Sequence, residues 1–277
     1  MNFRFACSDA AFPLLPHDKV LQLIALLGFE GVDIGLFEKR SSLQPSEVFL
    51  DTKRHGNGLR EKAVQNGLRI ADVFYQAAPD FTARAINHPD SDIRIQERDN
   101  FLKILDYANS AGSYHVTCLP GVHYRQETYD SSLRRASDEL SWRTEQAKQA
   151  GLVFGIEAHI GSIVPIPSQV LYLLKMTDGL KLTLDYTHFM RQGIANEDVH
   201  PLIPYASHFH ARGAAPGRLQ TIMDENEIDY PTIAKKMMET GYQGFFGIEY
   251  VWTKWEDCIR TDNVSESIML LELIRKL

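Results

Sequence analysis

The chain has 277 residues, of which 44% are hydrophobic and 23% are charged, and its formal net charge is −7. This composition is that of a globular protein large enough to bury a core, and the acidic balance argues against a constitutive nucleic-acid binder. No stretch approaches about 18 uninterrupted apolar residues, so no membrane span is predicted. Cys7, Cys118 and Cys258 are widely separated, and residues 1–7 lack the apolar region of a signal peptide. Reduced thiols in a cytoplasmic protein are therefore expected.

Short apolar segments alternate with amphipathic ones along the whole chain. Segments rich in Val, Ile, Leu and Phe predict buried strands near residues 3–8, 31–36, 69–75, 114–119, 152–158, 181–186, 207–211 and 245–250. Their spacing of roughly 35 residues is typical of a βα unit, so we predict an α/β fold, a single-domain (β/α)8 TIM barrel over residues 1–277. A doubly wound open sheet is the alternative, but it rarely has eight regular units and usually has a glycine-rich first turn.

Helix ends are marked by glycine in three of the amphipathic segments. Residues 19–27 precede Gly28, residues 101–108 lie shortly before Gly112, and residues 232–240 precede Gly241. Glycine is the common residue just past a helix, because it adopts the left-handed backbone conformation without strain. These positions support helices between the predicted strands.

Two connections are longer than usual, at residues 76–92 and 120–127. The first carries Phe81 and the second carries Tyr124. Both would leave the carboxyl-terminal face of the barrel, where barrel active sites are built. Their aromatic side chains either cover a substrate or pack on neighbouring helices, and the sequence leaves both interpretations open.

Four predicted strands each end in an acidic or imidazole side chain, namely Glu157, Asp185, His210 and Glu249. All strand ends of a parallel barrel lie on one face, so these side chains are expected to converge. A buried carboxylate needs compensation, and a divalent metal ion supplies it. Hard oxygens with one nitrogen suit Mn²⁺ best, with Mg²⁺, Co²⁺ and Zn²⁺ as alternatives. For any single member, the alternative is a core carboxylate paired with Arg or Lys.

Further polar residues follow the same strands. His188 lies three residues beyond the acid of the sixth strand, where it would contact a second metal or a substrate hydroxyl, or serve only as a supporting side chain. Arg212 and Arg218 follow the seventh strand and are candidates to bind a substrate oxygen, although a solvated loop charge is the alternative for Arg218. His159 and His208 are expected to be hydrogen-bonded supporting residues.

These segments together resemble the xylose-isomerase-like barrel superfamily, which includes ketose 3-epimerases, hydroxypyruvate isomerases, inosose dehydratases and family-2 apurinic endonucleases. The resemblance covers essentially the whole chain. It is carried by residues 28–33, 97–112, 155–157, 184–188, 210 with 217–220, and 241–250. It implies that Glu157, Asp185, His210 and Glu249 hold one metal ion, and that the two glutamates also move protons. It further implies that His188 and one arginine after the seventh strand hold the substrate's oxygens.

The endonuclease branch of the superfamily fits this sequence poorly. Its three-metal site needs additional histidines at the ends of the third and fourth strands and an Asp-x-His segment after the seventh. Here Leu119 stands where a histidine would be needed, and the seventh-strand segment reads His208-Phe209-His210. A DNA-repair function is therefore not expected.

The sequence therefore predicts a metal-dependent sugar isomerase or epimerase of carbohydrate metabolism, acting on a ketose or a small hydroxycarbonyl compound. The metal would bind a carbonyl and its neighbouring hydroxyl and stabilise the enediolate, while Glu157 and Glu249 remove and return a proton. Which glutamate takes which role stays open. The alternatives are a metal-dependent dehydratase of a keto-polyol, resembling inosose dehydratase, and a non-catalytic sugar-binding barrel. No nucleic-acid or membrane partner is expected, and a homo-oligomer is compatible with the sequence.

Overall fold

A computed structural model describes residues 3–277. Eight parallel strands close into a barrel, in which β1 lies between the last barrel strand and β2. The barrel strands are β1 (Arg4–Ser8), β2 (Gly31–Phe37), β3 (Arg69–Gln76), β4 (His115–Cys118), β5 (Val153–Ile156), β6 (Lys181–Asp185), β7 (Ala206–Ala211) and β10 (Phe245–Ile248). A separate antiparallel hairpin consists of β8 (Gly213–Ala215) and β9 (Arg218–Thr221). The predicted (β/α)8 barrel and its eight strands are confirmed, whereas the hairpin was not predicted.

Helices connect the strands on the outside of the barrel. The helices are α1 (His17–Leu26), α2 (Pro45–Val48), α3 (Thr52–Gln65), α4 (Ser91–Ala111), α5 (Tyr129–Gln149), α6 (Pro167–Met176), α7 (Thr187–Met190), α8 (Asn196–Val199), α9 (Tyr230–Glu239) and α10 (Asn263–Arg275). Short 3₁₀ turns cover Asp9–Ala11, His200–Tyr205, Met223–Glu225 and Trp255–Arg260. Gly28, Gly112 and Gly241 follow three of these helices with φ of 87°, 76° and 71°, as their positions in the sequence predict. Among the described residues, none of the helices has the length and apolarity needed to cross a membrane.

The interior of the barrel contains a layer of paired polar side chains beneath its carboxyl-terminal face. His115 bonds to Asp72 at 2.7 Å and to the Ser207 hydroxyl at 2.8 Å. His208 lies 3.1 Å from Asp33, so it is the hydrogen-bonded supporting residue that its sequence position predicts. These pairs give each side chain at least one hydrogen bond, which lowers the cost of placing it in the core, although Asp33 Oδ1, Asp72 Oδ2 and His208 Nδ1 have no hydrogen-bond partner among the described residues.

Gly247 in β10 makes room for this polar layer. A Cβ atom at this position would lie 2.3 Å from the Asp33 carboxylate and 2.9 Å from the carbonyl oxygen of Phe209. Any other residue would therefore displace either the carboxylate or the neighbouring strand. The glycine therefore allows β10 to lie close to the Asp33 carboxylate and to β7. It stands two residues before Glu249 in the sequence.

The two long loops after β3 and β4 are joined by the fully buried side chain of Asn87. Its amide nitrogen donates to the carbonyl oxygens of Val122 and Ser132 at 2.8 and 3.1 Å, and its amide oxygen accepts from the Val122 N–H at 3.0 Å. Gly121 has a φ of +96°, and a Cβ there would lie 2.4 Å from the Asn87 side chain. The first long loop is thus fixed against the second.

Candidate active site

Four strand ends bring Glu157, Asp185, His210 and Glu249 to one place. Asp185 ends β6, His210 lies in β7, and the two glutamates directly follow β5 and β10. All four are buried, with exposures from 1% for His210 to 6% for Glu249. The His210 Nδ1 atom lies 2.7 Å from a Glu157 oxygen and 3.6 Å from a Glu249 oxygen. The fold therefore brings Glu157, His210 and Glu249 together, with Asp185 beside Glu157.

The candidate ligand atoms form two groups that share Glu157. In one group, single donor atoms of Glu157, His210 and Glu249 all lie within 4.8 Å of one another. In the other, donor atoms of Glu157, Asp185 and His188 do so. Asp185 is separated from the first group because a guanidinium lies between it and Glu249.

That guanidinium belongs to Arg212, which is buried and pairs with two of the candidate ligands. Its Nη1 atom lies 2.6 Å from the Glu249 carboxylate, and its Nη2 atom lies 3.2 Å from that of Asp185. Burial would lower the pKa of Arg212, but the charges of Asp185 and Glu249 raise it above its ordinary value. Arg212 therefore stays charged and compensates two buried carboxylates.

Asp185 is oriented by the first turn of α7. The backbone N–H of Thr187 donates to one Asp185 oxygen at 2.7 Å, and the Thr187 hydroxyl donates to the same oxygen at 2.6 Å. This leaves the other oxygen, Oδ2, facing Arg212 and His188. The carboxylate is thus held in one orientation with one oxygen directed into the site.

The ionisation of the two glutamates differs because their neighbours differ. Burial alone would raise the pKa of Glu157, but hydrogen bonds from His188 and His210 lower it well below the usual range. Burial raises the pKa of Glu249, and the charges of His210 and Arg212 only partly oppose this. Burial would lower the pKa of His210, but Glu249 and Glu157 raise it well above the ordinary value. The Glu157 carboxylate is therefore held in its charged form more strongly than that of Glu249.

His188 directs a ring nitrogen at the carboxylates. Its Nδ1 atom accepts the Ile160 backbone N–H at 3.5 Å, and its Nε2 atom lies 3.6 Å from both a Glu157 and an Asp185 oxygen. This arrangement places an N–H donor on Nε2. His159 bonds through Nδ1 to the Ile160 carbonyl at 2.7 Å, and burial lowers its pKa to about 4. A neutral His159 therefore packs beside His188.

Arg218 lies away from this cluster. It begins β9 on the surface hairpin, where its side chain is 53% exposed and pairs with Glu225. It does not line the cavity above the carboxylates, whereas Arg212 does. Of the two arginines considered from the sequence, the fold brings only Arg212 to the site.

A cavity of about 230 Å³ opens above the two glutamates. Glu157, Glu249, His159, His188 and Arg212 lie among its lining residues. Its aromatic lining side chains are Phe37, Phe74, Phe81, Trp252 and Trp255. Phe81 lies edge-on to His159 at 4.9 Å between ring centroids. The cavity combines aromatic side chains with polar and charged ones, and such a concave, mixed lining is typical of a site for a small ligand.

The comparisons with known proteins agree with this architecture. The family model described as "Xylose isomerase-like TIM barrel" matches residues 21–274. The chain belongs to this family. No curated protein matches the sequence.

Solved structures of this xylose isomerase-like fold include several different enzymes. The D-psicose 3-epimerase of Clostridium cellulolyticum H10, solved with D-tagatose, is 16% identical, with a TM-score of 0.78 over 99% of this chain and 98% of that one. The probable 3-DHS dehydratase AsbF of Bacillus anthracis is 14% identical, with a TM-score of 0.72 over 97% and 98% of the two chains. An AP endonuclease of family 2 from Brucella melitensis is 18% identical, with a TM-score of 0.74 over 98% of each chain. At such identities the likeness shows the fold alone.

The charges of this xylose isomerase-like site fit a divalent metal ion. The site holds three buried carboxylates and one buried guanidinium; Asp185 and Glu249 pair with Arg212, whereas Glu157 lies against His210. The imidazole of His210 adds a nitrogen donor beside two of the carboxylates. A cation bound to this mixture of oxygen and nitrogen atoms would balance the remaining negative charge.

The sequence-based predictions missed the aromatic residues that follow β10. Trp252 and Trp255 come shortly after Glu249 and line the cavity, and the pattern Val251-Trp252-Thr253-Lys254-Trp255 was a signal that could have found them. Of the two long loops, the first contributes Phe81 to the cavity. The second instead packs on its neighbour, since the Tyr124 hydroxyl donates to the Thr82 carbonyl at 2.6 Å.

Proposed function

We propose that this protein is a metal-dependent sugar isomerase or epimerase. The observation that carries the proposal is the pair Glu157 and Glu249, both buried at the floor of one cavity and flanking His210 with donor atoms within 4.8 Å. Two carboxylates in this arrangement can transfer protons to and from one substrate carbon on its two faces. Epimerisation uses such a pair, because one group takes a proton from one face of the carbon and the other returns a proton to the opposite face.

Glu157, Asp185, His210 and Glu249 would hold the metal ion, for which Mn²⁺ is the favoured identity. When bound, the ion supplies Lewis-acid polarisation of a carbonyl and its neighbouring hydroxyl. The donor set of hard oxygens and one imidazole supports this choice over a soft-metal site, since Cys118 and the other described cysteines lie outside the groups.

The protein's own residues then divide the proton transfer. One glutamate removes the proton from the carbon next to the carbonyl, and the enediolate forms as the electron pair moves to the carbonyl oxygen. The other glutamate returns a proton to the opposite face in an epimerase. In an isomerase a proton goes to the former carbonyl carbon instead, and the hydroxyl on the deprotonated carbon gives its proton to the former carbonyl oxygen. The His188 Nε2–H donates to a substrate oxygen that carries negative charge, and Arg212 keeps the Glu249 and Asp185 carboxylates in place.

Solvent exchange tests the proposal directly. The Mn²⁺-loaded protein is incubated in D₂O with a panel of ketoses and small hydroxycarbonyl compounds, and deuterium at the carbon next to the carbonyl is read by NMR. We expect incorporation together with an isomeric product of unchanged heavy-atom composition. An unsaturated product that has lost water would instead assign a dehydratase, and no exchange across the panel would contradict the proposal.

A further inference from the structure

A second, apolar groove lies beside the catalytic cavity, over the seam between β1 and β10. It has a volume of about 330 Å³, and Pro13 and Trp252 line both spaces. The groove, called here the distal groove, is lined by Ala11, Phe12, Pro13, Leu14, Leu15, Leu23, Trp252, Thr261, Asp262, Asn263 and Val264. Leu14 is 76% exposed and Trp252 is 42% exposed. When exposed apolar side chains lie directly beside a binding cavity, they indicate a surface to which part of the ligand binds.

The floor of the distal groove is fixed by buried amides. The Gln220 side chain accepts the Val251 N–H at 2.9 Å and donates to the Val251 and Cys258 carbonyls at 3.0 and 2.9 Å. Asn263 donates to the Ala11 carbonyl at 2.8 Å. The backbone that carries Trp252 is therefore held in place before any ligand binds.

The polar side chains of the distal groove are already engaged. The Asp262 carboxylate accepts the Val264 N–H at 3.0 Å and the Ser265 hydroxyl at 2.6 Å. The Thr261 hydroxyl donates to the Asn263 side chain at 3.0 Å. These bonds cap α10 and join the loops, and the groove otherwise offers carbon surface. It therefore suits the apolar face of a ring rather than a phosphate or carboxylate.

We propose that the distal groove holds the second ring of a glycoside substrate. The reacting keto sugar would lie over Glu157 and Glu249, and the attached ring would lie between Trp252 and Leu14. This inference rests on the proposed function, because it names the class of sugar that the same site accepts. The continuity of the two spaces at Trp252 supports one extended ligand, and the pyranose and phenyl rings share the flat apolar face that an indole ring can contact.

Equilibrium binding to three non-reacting glucosides tests the groove. The Mn²⁺-loaded protein is titrated with methyl β-D-glucopyranoside, phenyl β-D-glucopyranoside and methyl β-cellobioside, and binding is followed by calorimetry. A compound with a second ring should bind at least about tenfold more tightly than the methyl glucoside, a difference of about 1.4 kcal/mol. Preference for the phenyl glucoside would identify an aromatic aglycone, and preference for the methyl cellobioside would identify a second sugar.

Substitutions in the distal groove test whether the groove causes the tighter binding of ring-bearing compounds. Trp252→Ala and Leu14→Asp should each reduce the affinity for the ring-bearing compound to that for the methyl glucoside. Tyr172→Ala is the matched control, because Tyr172 is an exposed aromatic residue on α6, outside both spaces, and it should retain the preference. Equal binding of all three compounds by the unmodified protein, or a preference kept by both groove variants, would overturn the proposal.

Two further measurements separate the remaining outcomes. If sedimentation shows that Leu14→Asp converts a dimer to a monomer without affecting the ring preference, a second copy covers the groove and the proposal is overturned. Deuterium exchange into the ketose panel is measured on the same preparation. A ring preference without exchange would support the groove and contradict the isomerase proposal, whereas exchange without a ring preference would overturn the groove and leave the isomerase proposal intact.

Discussion

Arg212 occupies the position between Asp185 and Glu249 that a neutral side chain could not fill without cost. Removing one partner of a buried ion pair leaves an uncompensated charge, which typically costs about 3–5 kcal/mol. We therefore expect Arg212→Met to lower the free energy of unfolding by about that amount in urea titrations. Arg218→Met, which breaks only an exposed pair, should cost less than about 1 kcal/mol. Equal effects of the two substitutions would contradict this account of Arg212.

The two glutamates carry the chemistry of the proposed reaction. Glu157→Gln and Glu249→Gln should each reduce turnover by at least about 10²-fold, since an amide is nearly isosteric but cannot accept the proton. Glu61→Gln, on the exposed face of α3, is the control and should retain full activity. Rates are read from deuterium incorporation. A variant that keeps more than about a tenth of the rate would show that its glutamate does not transfer the proton.

Cys118 gives the protein a pH dependence on the alkaline side. Burial raises the pKa of its thiol from 9.0 to about 12. The unfolded chain then loses this proton first as the pH rises, so the unfolded state is favoured progressively between about pH 9 and pH 12. From pH 8 to pH 10.5, the unmodified protein should lose about 2 kcal/mol more stability than Cys118→Ala.

Urea unfolding at the two pH values measures that difference. Other buried titrating groups are present in both proteins, so their effects cancel in the comparison. If the free energy of unfolding falls equally in the two proteins between these pH values, the Cys118 thiol does not cause the pH dependence.

Some site residues could be predicted from the sequence, and others could not, for a physical reason. A carboxylate directly after a buried apolar strand is conspicuous, and Glu157 and Glu249 stand out in this way. The ion-pair partners of Arg212 could not be predicted, because they depend on the direction that its long side chain takes, and no local sequence pattern specifies that direction. Arg218 follows a turn that reverses the chain into β9, so its distance from the strand end in sequence is a poor guide to its position.

Elements were predictable to the extent that their residues show a regular pattern. The barrel strands are apolar because helices or neighbouring layers cover both faces, and this pattern was enough to place them. The hairpin of β8 and β9 was missed because Gly213–Ala215 is too short to show alternation. The role of Asn87 was also invisible, since its hydrogen bonds reach residues 35 and 45 positions away.

The loops after β3 and β4 depend on that single amide. Asn87→Ala removes the side chain's bonds to Val122 and Ser132. It leaves the buried backbone N–H and C=O groups of Val122 without this partner, at about 1–3 kcal/mol for each group. We expect a lower midpoint of urea unfolding and faster amide hydrogen exchange at residues 121–123. Asn57→Ala, at an exposed position of α3, is the control and should neither lower the midpoint nor speed exchange at residues 121–123. Unchanged exchange in the Asn87 variant would show that other contacts hold the loops.

At the scale of the whole molecule, the proposed metal should couple to folding. An ion that binds only the folded state at 100 times its dissociation constant adds about 2.7 kcal/mol of stability. We expect Mn²⁺ to raise the melting temperature of the chelator-treated protein by about 5–10 °C, at about 2–4 °C per kcal/mol. His210→Ala should lose this rise, whereas His55→Ala on the surface of α3 should keep it. A rise retained in the His210 variant would place the ion elsewhere.

The pairing of β1 with β10 sets an order on how the molecule can assemble. Arg4 pairs with Phe245 and Cys7 pairs with Ile248, so the first strand finds one of its two neighbours only after about 240 intervening residues have been made. At about 5–20 residues per second, one edge of β1 waits on the order of 10–50 s on the ribosome. Glu249 directly follows the strand that ends this wait. The growing chain therefore gains its closed barrel and its second glutamate in the same step, and a chain stalled before β10 has neither.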